Sequence, residues 1–389
     1  MADAYIVDAV RTAGGRRGGK LAGVHPVDLG AAVFDAIADR NDFDPAAIED
    51  VICGCVSQGG EQTMDVGRNA VLASKLPDSI PAVSIDRQCG SSQQSILFAA
   101  QAVMSGTQDV VLASGIESMT RVPMGSVARL FMKEGLGMYK SPRLEEAYPN
   151  IMFSQFMGAE MVAKKHGLTK DDLDRYALES HQKAAKATEA GAFENEIVPV
   201  QIETPEGEEM HKVDEGIRFD ATLEGIQGVK LIQEDGVITA ASSSQICDGA
   251  SAVLVVSEKA LKEHGLTPRA RIVNLTVTAG DPVIMLEEPL FATDKALERS
   301  GIKMGDIDCY EVNEAFAPVP LAWLKHTGAE RERINVHGGA IALGHPLGAS
   351  GTKLMATLLN ALEQRGGKYG LQTMCEGGGQ ANVTIIERV

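Results

Sequence analysis

Short apolar runs alternate along most of the chain with longer stretches in which apolar positions recur every three or four residues, the patterns of strands and amphipathic helices. Tyr5-Ile6-Val7-Asp8-Ala9-Val10 is strand-like, and a helical stretch follows from Val27 to Asp39. Ile48-Glu49-Asp50-Val51-Ile52 leads into a second strand, and Ala82-Val83-Ser84-Ile85 forms a third before a helix from Ser91 to Ser105. Asp109-Val110-Val111-Leu112-Ala113-Ser114-Gly115 is a fourth strand. The same order returns near the C-terminus. Arg271 to Thr276, Ile307 to Glu311, Arg333-Ile334-Asn335-Val336 and Lys368 to Met374 read as strands, with helices from Ala292 to Ser300 and Ser350 to Glu363. Alternating strands and helices predict a mainly parallel sheet covered by helices. A repeat of this long period predicts two similar βα halves and no solenoid.

The middle of the chain has a different texture. From about Thr120 to Ile246 it mixes Pro, Met and Gly in loops with helical stretches at Met157 to His166 and Lys170 to Glu189. Acidic turns such as Glu203-Thr204-Pro205-Glu206-Gly207-Glu208-Glu209 interrupt it. The apolar run from Gly249 to Val256 then returns to the first half. The expected division is an N-terminal half over 1–119 completed by 247–268, an inserted loop or lid domain over 120–246, and a C-terminal half over 269–389.

Composition narrows the function. The 389 residues are 44% hydrophobic and 23% charged, ordinary for a globular protein. A formal net charge of -17 argues against a general nucleic-acid surface and requires a local basic patch for any phosphate-bearing substrate. No apolar run approaches the roughly 18 residues of a membrane span. The N-terminus lacks a basic, apolar leader and Glu387-Arg388-Val389 is no peroxisomal address, so the expected location is cytoplasmic. The six cysteines show no paired zinc-type spacing, and Cys53-Gly54-Cys55 sits in an apolar segment that suits packing.

Three segments carry candidate chemistry. His345 stands in the glycine-rich stretch Asn335 to Gly351, restrained by Pro346 after it, and an imidazole so held can act as a base. Cys89, in Arg87-Gln88-Cys89-Gly90-Ser91-Ser92, lies where a strand ends and a helix begins, a place expected to lower a thiol's pKa. Cys375 precedes Gly377-Gly378-Gly379 and follows the last strand of the second half. In an open α/β arrangement such strand ends converge, which allows residues nearly 300 positions apart to share a pocket. Asn313, in Asn313-Glu314-Ala315-Phe316-Ala317, offers an amide that can orient a water or donate to an oxyanion.

With these motifs in this order over essentially the whole chain, the sequence resembles the thiolase family. The resemblance implies an α/β thiolase fold of two similar βαβαβαββ halves in layers with an inserted lid domain. It implies acyl transfer between Cys89 and coenzyme A, either thiolysis of a 3-ketoacyl-CoA or the reverse Claisen condensation. Cys89 would be the nucleophile, His345 its base, and Cys375 the acid or base at the enolate. His345 with a water held by Asn313 would serve one oxyanion, and the backbone N–H groups of Cys89 and Gly377 the other. Ser244 aligns with a family serine at the pantetheine arm and Arg218 with an arginine near the adenine nucleotide, whereas Gly225 replaces a second serine contact. His337 is read as structural support.

No metal and no tightly bound cofactor is implied, only coenzyme A as substrate and product. Partners are therefore acyl-CoA and coenzyme A, with no nucleic acid and no membrane span, in a homodimer or homotetramer.

Two departures matter. Ser92 replaces a common glycine after Cys89-Gly90-Ser91, and Phe156-Met157-Gly158 stands where short-chain biosynthetic members have His-Met-Gly. Phe156 adds apolar surface there, so medium or larger acyl groups are expected. The alternatives are a short-chain acetyl-CoA acetyltransferase making acetoacetyl-CoA, a ketoacyl-synthase-like condensing enzyme, and an inactive acyl-CoA- or lipid-binding relative. The second cysteine disfavours the condensing enzyme, and the intact set Cys89, Asn313, His345 and Cys375 disfavours the inactive one.

Overall fold

The computed structural model of the chain describes residues 2–205 and 207–389. Among these residues the first half contributes β1 (Ala4–Thr12), β2 (Asp50–Gly54), β3 (Ala82–Ile85), β4 (Val110–Ser118) and β5 (Cys247–Ser257). The second contributes β6 (Ala270–Ala279), β7 (Ile307–Val312), β8 (Tyr369–Glu376) and β9 (Gln380–Arg388). They lie in the order β7-β8-β9-β6-β1-β5-β4-β2-β3. The half-sheets meet through the short antiparallel pairing of β1 with β6, Tyr5 opposite Arg271 and Ile6 opposite Ala270.

The sheet is mixed, which corrects the expectation of a mainly parallel one. β3 and β4 flank β2 in parallel, and β7 runs parallel to β8. β5 is antiparallel to both β4 and β1, and β9 to both β8 and β6. The cause is local in the second half, where only Gly377–Gly379 separates β8 from β9. So short a loop joins strands as a hairpin, and a parallel crossover needs a dozen residues or more. β5 is the corresponding return strand of the first half, as its apolar run predicted.

Helices fill three layers. α1 (Pro26–Arg40) and α2 (Val66–Ala73) cover the outer face of the first half, where Phe34, Ile37, Val51, Leu112 and Leu254 share one apolar cluster. α3 (Ser91–Ser105) lies on its inner face. In the inserted stretch, α4 (Ser126–Lys133) buries none of its residues, whereas α5 (Gln155–Lys165) and α6 (Lys170–Glu189) pack on the second half. α6 starts with a reciprocal Thr169–Asp172 capping box. α7 (Glu288–Ser300) and α8 (Pro318–Thr327) cover the outer face of the second half around buried Trp323 and Tyr310. α9 (Ser350–Gln364) is the counterpart of α3, and the two pack together between the half-sheets through Ile96, Val103, Met355 and Leu359. Gly351 presents its Cα to the Gln93 backbone with no room for a Cβ.

The expected strand at Arg333–Val336 is reduced to isolated parallel bridges, Ile334 to Tyr310 and Val336 to Gly338. Asn335 has φ +42, which takes the chain out of an extended course. Its side-chain amide substitutes for a strand partner, accepting from the Val312 N–H at 2.9 Å and donating to the Val312 carbonyl at 2.9 Å. Backbone pairing of β7 is thus completed by a side chain, and the chain is freed to form the glycine-rich turn beyond. Among the described residues no helix is long and apolar enough to cross a membrane.

Candidate active site

Cys89 stands between β3 and the N-terminus of α3, at 8% exposure on the wall of a large cavity. The turn holding it is tight. Gln88 takes φ +49, its N–H donates to Asp86 Oδ1 at 2.6 Å, and Ser91 Oγ donates to the Gln88 carbonyl at 2.6 Å. A Cβ on the N-cap Gly90 would overlap Glu376 Oε1, so a side chain there requires the carboxyl group to move.

That contact joins the two cysteine-bearing segments. Gly377 approaches Gln88 less tightly, with a Cβ there falling 2.8 Å from Gln88 Oε1. Arg87 Nη1 donates to Gln380 Oε1 at 2.9 Å, and Asn382 Nδ2 donates to the Gly90 carbonyl at 3.3 Å. Cys375 is fully buried and pairs with Ala381, so β8 continues through it and does not stop before it as the sequence suggested. The turn beyond reverses through Gly378 and Gly379 at φ +80 and +74.

Protonation differs from the sequence-based expectation. Burial pushes the Cys89 thiol up to about 12, with the Glu376 carboxylate the next contributor, so the start of α3 does not yield a resting thiolate. Burial also raises Cys375 well above the ordinary thiol value, reinforced by Cys89 and Glu376. Burial lifts Glu376 to about 8, and Arg87 opposes it. Desolvation of the charged form dominates when a thiol leaves water this completely.

His345 follows Gly344, at φ +81, and is 3% exposed. Its Nδ1 lies 2.5 Å from Ser350 Oγ, whose own proton goes to the Pro346 carbonyl at 2.9 Å. Ser350 must then accept, so the proton sits on Nδ1 and Nε2 carries a lone pair. Asn313 agrees, placing Nδ2 3.4 Å from His345 Nε2 as a donor. Burial, with help from the Lys353 charge, holds the imidazole down to about 3, hence neutral. The Asn313 N–H donates to the Thr373 carbonyl at 3.0 Å, which fixes this amide beside the strand carrying Cys375. Its buried Oδ1 has no protein donor, suiting it to a water or a substrate group.

Two other buried carboxylates hold the turns. Glu117 accepts from the N–H groups of Val56, Ser57 and Gly348. Glu314, next to Asn313, accepts from Tyr176, Ser180, Asn335 and the Ile341 N–H. Sequence reading missed Ser350 and Glu117. A signal existed for Ser350, a hydroxyl one helical turn beyond His345-Pro346.

The cavity at Cys89 holds about 1050 Å³. Phe131, Met138, Tyr139, Phe153, Leu286 and Leu347 give it an apolar wall, and Gly377 and Gln380 reach it from the hairpin. Phe156 and Met157 lie outside this lining. Phe156 packs edge-on against Phe316 at 5.4 Å, and Met157 Sδ accepts from Gln233 Nε2 at 3.1 Å. A second groove of about 410 Å³ is lined by Arg218, His181, Gly225, Ala241 and Gln245. Ser244, between the last two in sequence, is outside the lining, its N–H donating to the Ala315 carbonyl at 2.9 Å. His337 is packed edge-on against Phe193 at 5.7 Å, away from both linings.

Comparison with known proteins agrees with this arrangement. Residues 4–259 match the Thiolase, N-terminal domain family and residues 266–388 the Thiolase, C-terminal domain family. The chain is 51% identical to the steroid 3-ketoacyl-CoA thiolase FadA6 of Mycobacterium tuberculosis, covering 100% of this chain and 95% of the relative. The crystal structure of human mitochondrial 3-ketoacyl-CoA thiolase superposes with a TM-score of 0.89 at 36% identity, covering 100% and 99% of the two chains. The Bacillus anthracis acetyl-CoA acetyltransferase superposes with a TM-score of 0.91 at 33% identity and the same coverage. With both family regions matched in order and its two cysteine turns packed together beside one cavity, the chain belongs to the thiolase family of acyltransferases.

Proposed function

We propose that the protein is a degradative thiolase that cleaves 3-ketoacyl-CoA with coenzyme A. The observation that carries this reading is the close packing of Gly90 on Glu376 and of Gln88 on Gly377, which sets both cysteines at one site. The Cys89 sulfur attacks the 3-keto carbon while its proton passes to His345 Nε2. Because the thiol rests protonated, proton transfer accompanies attack. Cleavage between Cα and Cβ leaves the acyl group on Cys89 and an acetyl-CoA enolate, which takes the Cys375 proton. Coenzyme A then gives its thiol proton to the Cys375 thiolate and attacks the acyl-Cys89 thioester. The shortened acyl-CoA departs, and His345 returns the proton to Cys89. The N–H groups of Cys89 and Gly377 serve one oxyanion, and Asn313 with protonated His345 the other. Each preorganised donor of this kind is worth roughly 3 to 4 kcal/mol.

Coenzyme A runs along the groove lined by Arg218, Ala241 and Gln245, beside Ser244 in sequence and within the 120–246 insertion that we read as a lid between the half over 1–119 with 247–268 and the half over 269–389. The acyl chain occupies the apolar cavity at Cys89. At about 1050 Å³ this cavity far exceeds what an acetyl group fills, which supports medium or larger acyl groups and brings ring-bearing ones within reach. The relative named as a steroid 3-ketoacyl-CoA thiolase supports the same direction. Phe156 packs on Phe316 beside this site. Coenzyme A enters as substrate with no resident cofactor, and we place the reaction in the cytoplasm, in a homodimer or homotetramer. The open edge strand β3, with Val83 exposed, supports self-association.

The test is coenzyme A-dependent thiolysis across 3-ketoacyl-CoA chain lengths, with wild type beside Cys89→Ala and Cys375→Ala. Loss of turnover in both variants and a preference for longer chains are expected. Turnover surviving without Cys89 overturns the site, and activity confined to acetoacetyl-CoA replaces this reading with a short-chain acetyltransferase.

A further inference from the structure

Behind the histidine turn lies a group of buried charges with no step in the reaction. Lys353, on the first turn of α9, is 4% exposed, and its ammonium donates to the carbonyls of Leu343 and, at 3.2 Å, Gly344. These are the two residues immediately before His345. Asp214 Oδ1 stands 3.8 Å from the same ammonium. That carboxylate is held in turn by Arg11, whose Nη1 and Nη2 donate to its two oxygens at 2.8 and 3.0 Å, and by the Gly14 N–H at 2.7 Å. Arg11 Nε reaches Glu196 Oε1 at 2.6 Å, and Thr357 Oγ1 donates to that oxygen at 2.8 Å. Thr357 is one helical turn beyond Lys353, so the chain of contacts closes on α9.

This ring joins three parts of the molecule: Arg11 from β1, Asp214 and Glu196 from the insertion, and Lys353 from the helix after the histidine. A buried ion pair seldom stabilises a fold more than well-packed apolar side chains of equal volume would, because desolvation offsets the attraction. Its gain is directional. An ammonium between two carbonyls fixes a backbone turn in a way that a methionine of similar size does not. The turn is held from the insertion by Gln245 as well, whose carbonyl accepts from the His345 N–H at 3.0 Å and whose Nε2 donates to the Ile341 carbonyl at 2.7 Å.

We propose that Lys353 is a positioning residue for His345, anchoring the Leu343 and Gly344 carbonyls to the buried frame of Arg11, Asp214 and Glu196 so that Nε2 is held toward the reacting sulfur. The inference rests on the reading of His345 as the base. The Lys353 charge also disfavours protonation of the imidazole before reaction, which keeps Nε2 unprotonated at rest. The titratable groups around Lys353 itself are Asp214, Cys247, Arg11 and Glu196.

The experiment compares wild type, Lys353→Met, Asp214→Asn, the double variant and His345→Ala. It reads kcat and KM for thiolysis of a 3-ketoacyl-CoA, the pH profile of kcat, and the thermal midpoint. Lys353→Met is expected to lower kcat by about twentyfold or more with KM within roughly threefold, a loss realised in the transition state. The acid limb of its profile moves to higher pH. Asp214→Asn gives a smaller loss of the same type, and the double variant is no worse than Lys353→Met, because the groups act as a unit. A kcat near wild type in Lys353→Met overturns the proposal. So does a loss that tracks the thermal midpoint with an unmoved acid limb, or losses that multiply in the double variant. Should Lys353→Met fail to fold, Asp214→Asn carries the test through the same readouts. Full activity in His345→Ala refutes the underlying site reading instead.

Discussion

Gly90 sits so tightly against Glu376 that a single Cβ on the glycine would overlap the carboxyl oxygen. One residue follows Cys89 and the other follows Cys375, so this contact sets the spacing between two turns nearly 290 residues apart in sequence. Gly90→Ala is expected to push the hairpin away, cutting kcat by roughly a hundredfold while the protein stays folded, since misplacement of about 1 Å has that effect. Steady-state kinetics beside a thermal melt check it, and an alanine variant with normal kcat would show that the contact is slack.

The Glu376 carboxyl contributes a like charge beside both thiols. Glu376→Gln removes it at nearly constant volume, so alkylation of Cys89 by iodoacetamide should rise at lower pH than in wild type. The sign follows from repulsion, since a neighbouring carboxylate disfavours a thiolate. The pH dependence of the alkylation rate measures the shift, and an unmoved or upward-moving profile contradicts it.

Ser350 accepts from Nδ1 of His345 and thereby leaves Nε2 open. Ser350→Ala removes the group that selects this tautomer. We expect a fall in kcat of tenfold or more at little change in KM, by roughly the logic of a base turned to its wrong tautomer. Kinetics and the nitrogen chemical shifts of the ring report the two halves of the claim separately.

The acyl cavity should be adjustable from its wall. Leu347→Phe fills space beside Cys89, and Phe153→Ala enlarges it. The first is expected to lower kcat/KM for long 3-ketoacyl-CoA substrates about tenfold or more relative to short ones, and the second to move preference the other way. An unchanged chain-length profile in both variants would place the acyl chain elsewhere.

His337, outside both linings, offers a stability test. Burial holds its imidazole down to about 4, with the Arg365 and Arg11 charges acting the same way. An unfolded histidine titrates near 6.5, so between about pH 6.5 and pH 4 the unfolded chain binds the proton and the folded one does not. This contribution is fully present above about pH 6.5 and is lost as pH falls toward 4. His337→Gln lacks the titration, so its stability relative to wild type should improve as pH drops through that window. Denaturant midpoints of the two proteins across the window decide it.

Much of the proposed site was legible because its candidate chemistry is written locally. Cys89-Gly90-Ser91, Asn313-Glu314-Ala315-Phe316 and Gly344-His345-Pro346 are short segments whose residue types suggest the nucleophile, amide and base proposed above. The strand-helix order was legible for the same reason, since periodicity is a property of neighbours in sequence. Two readings failed where distant neighbours intervened. Arg333–Val336 has strand composition, yet the Asn335 side chain takes the pairing that a strand would have used. Phe156 matches the family position expected at the acyl group, yet it packs on Phe316, and Phe153 faces the cavity.

The sequence alone determined which groups can react and the order of the repeated halves, because bonding capacity and hydrophobic period belong to residue types and their spacing. The tertiary structure decided the protonation of those groups. The start of a helix suggests a thiolate at Cys89, but burial beside Glu376 favours the proton on sulfur. It also decided the tautomer of His345 through Ser350 and the partners of Lys353. Desolvation and hydrogen-bond geometry depend on every chain segment that closes around a group, and here those segments come from β1, the insertion and α9.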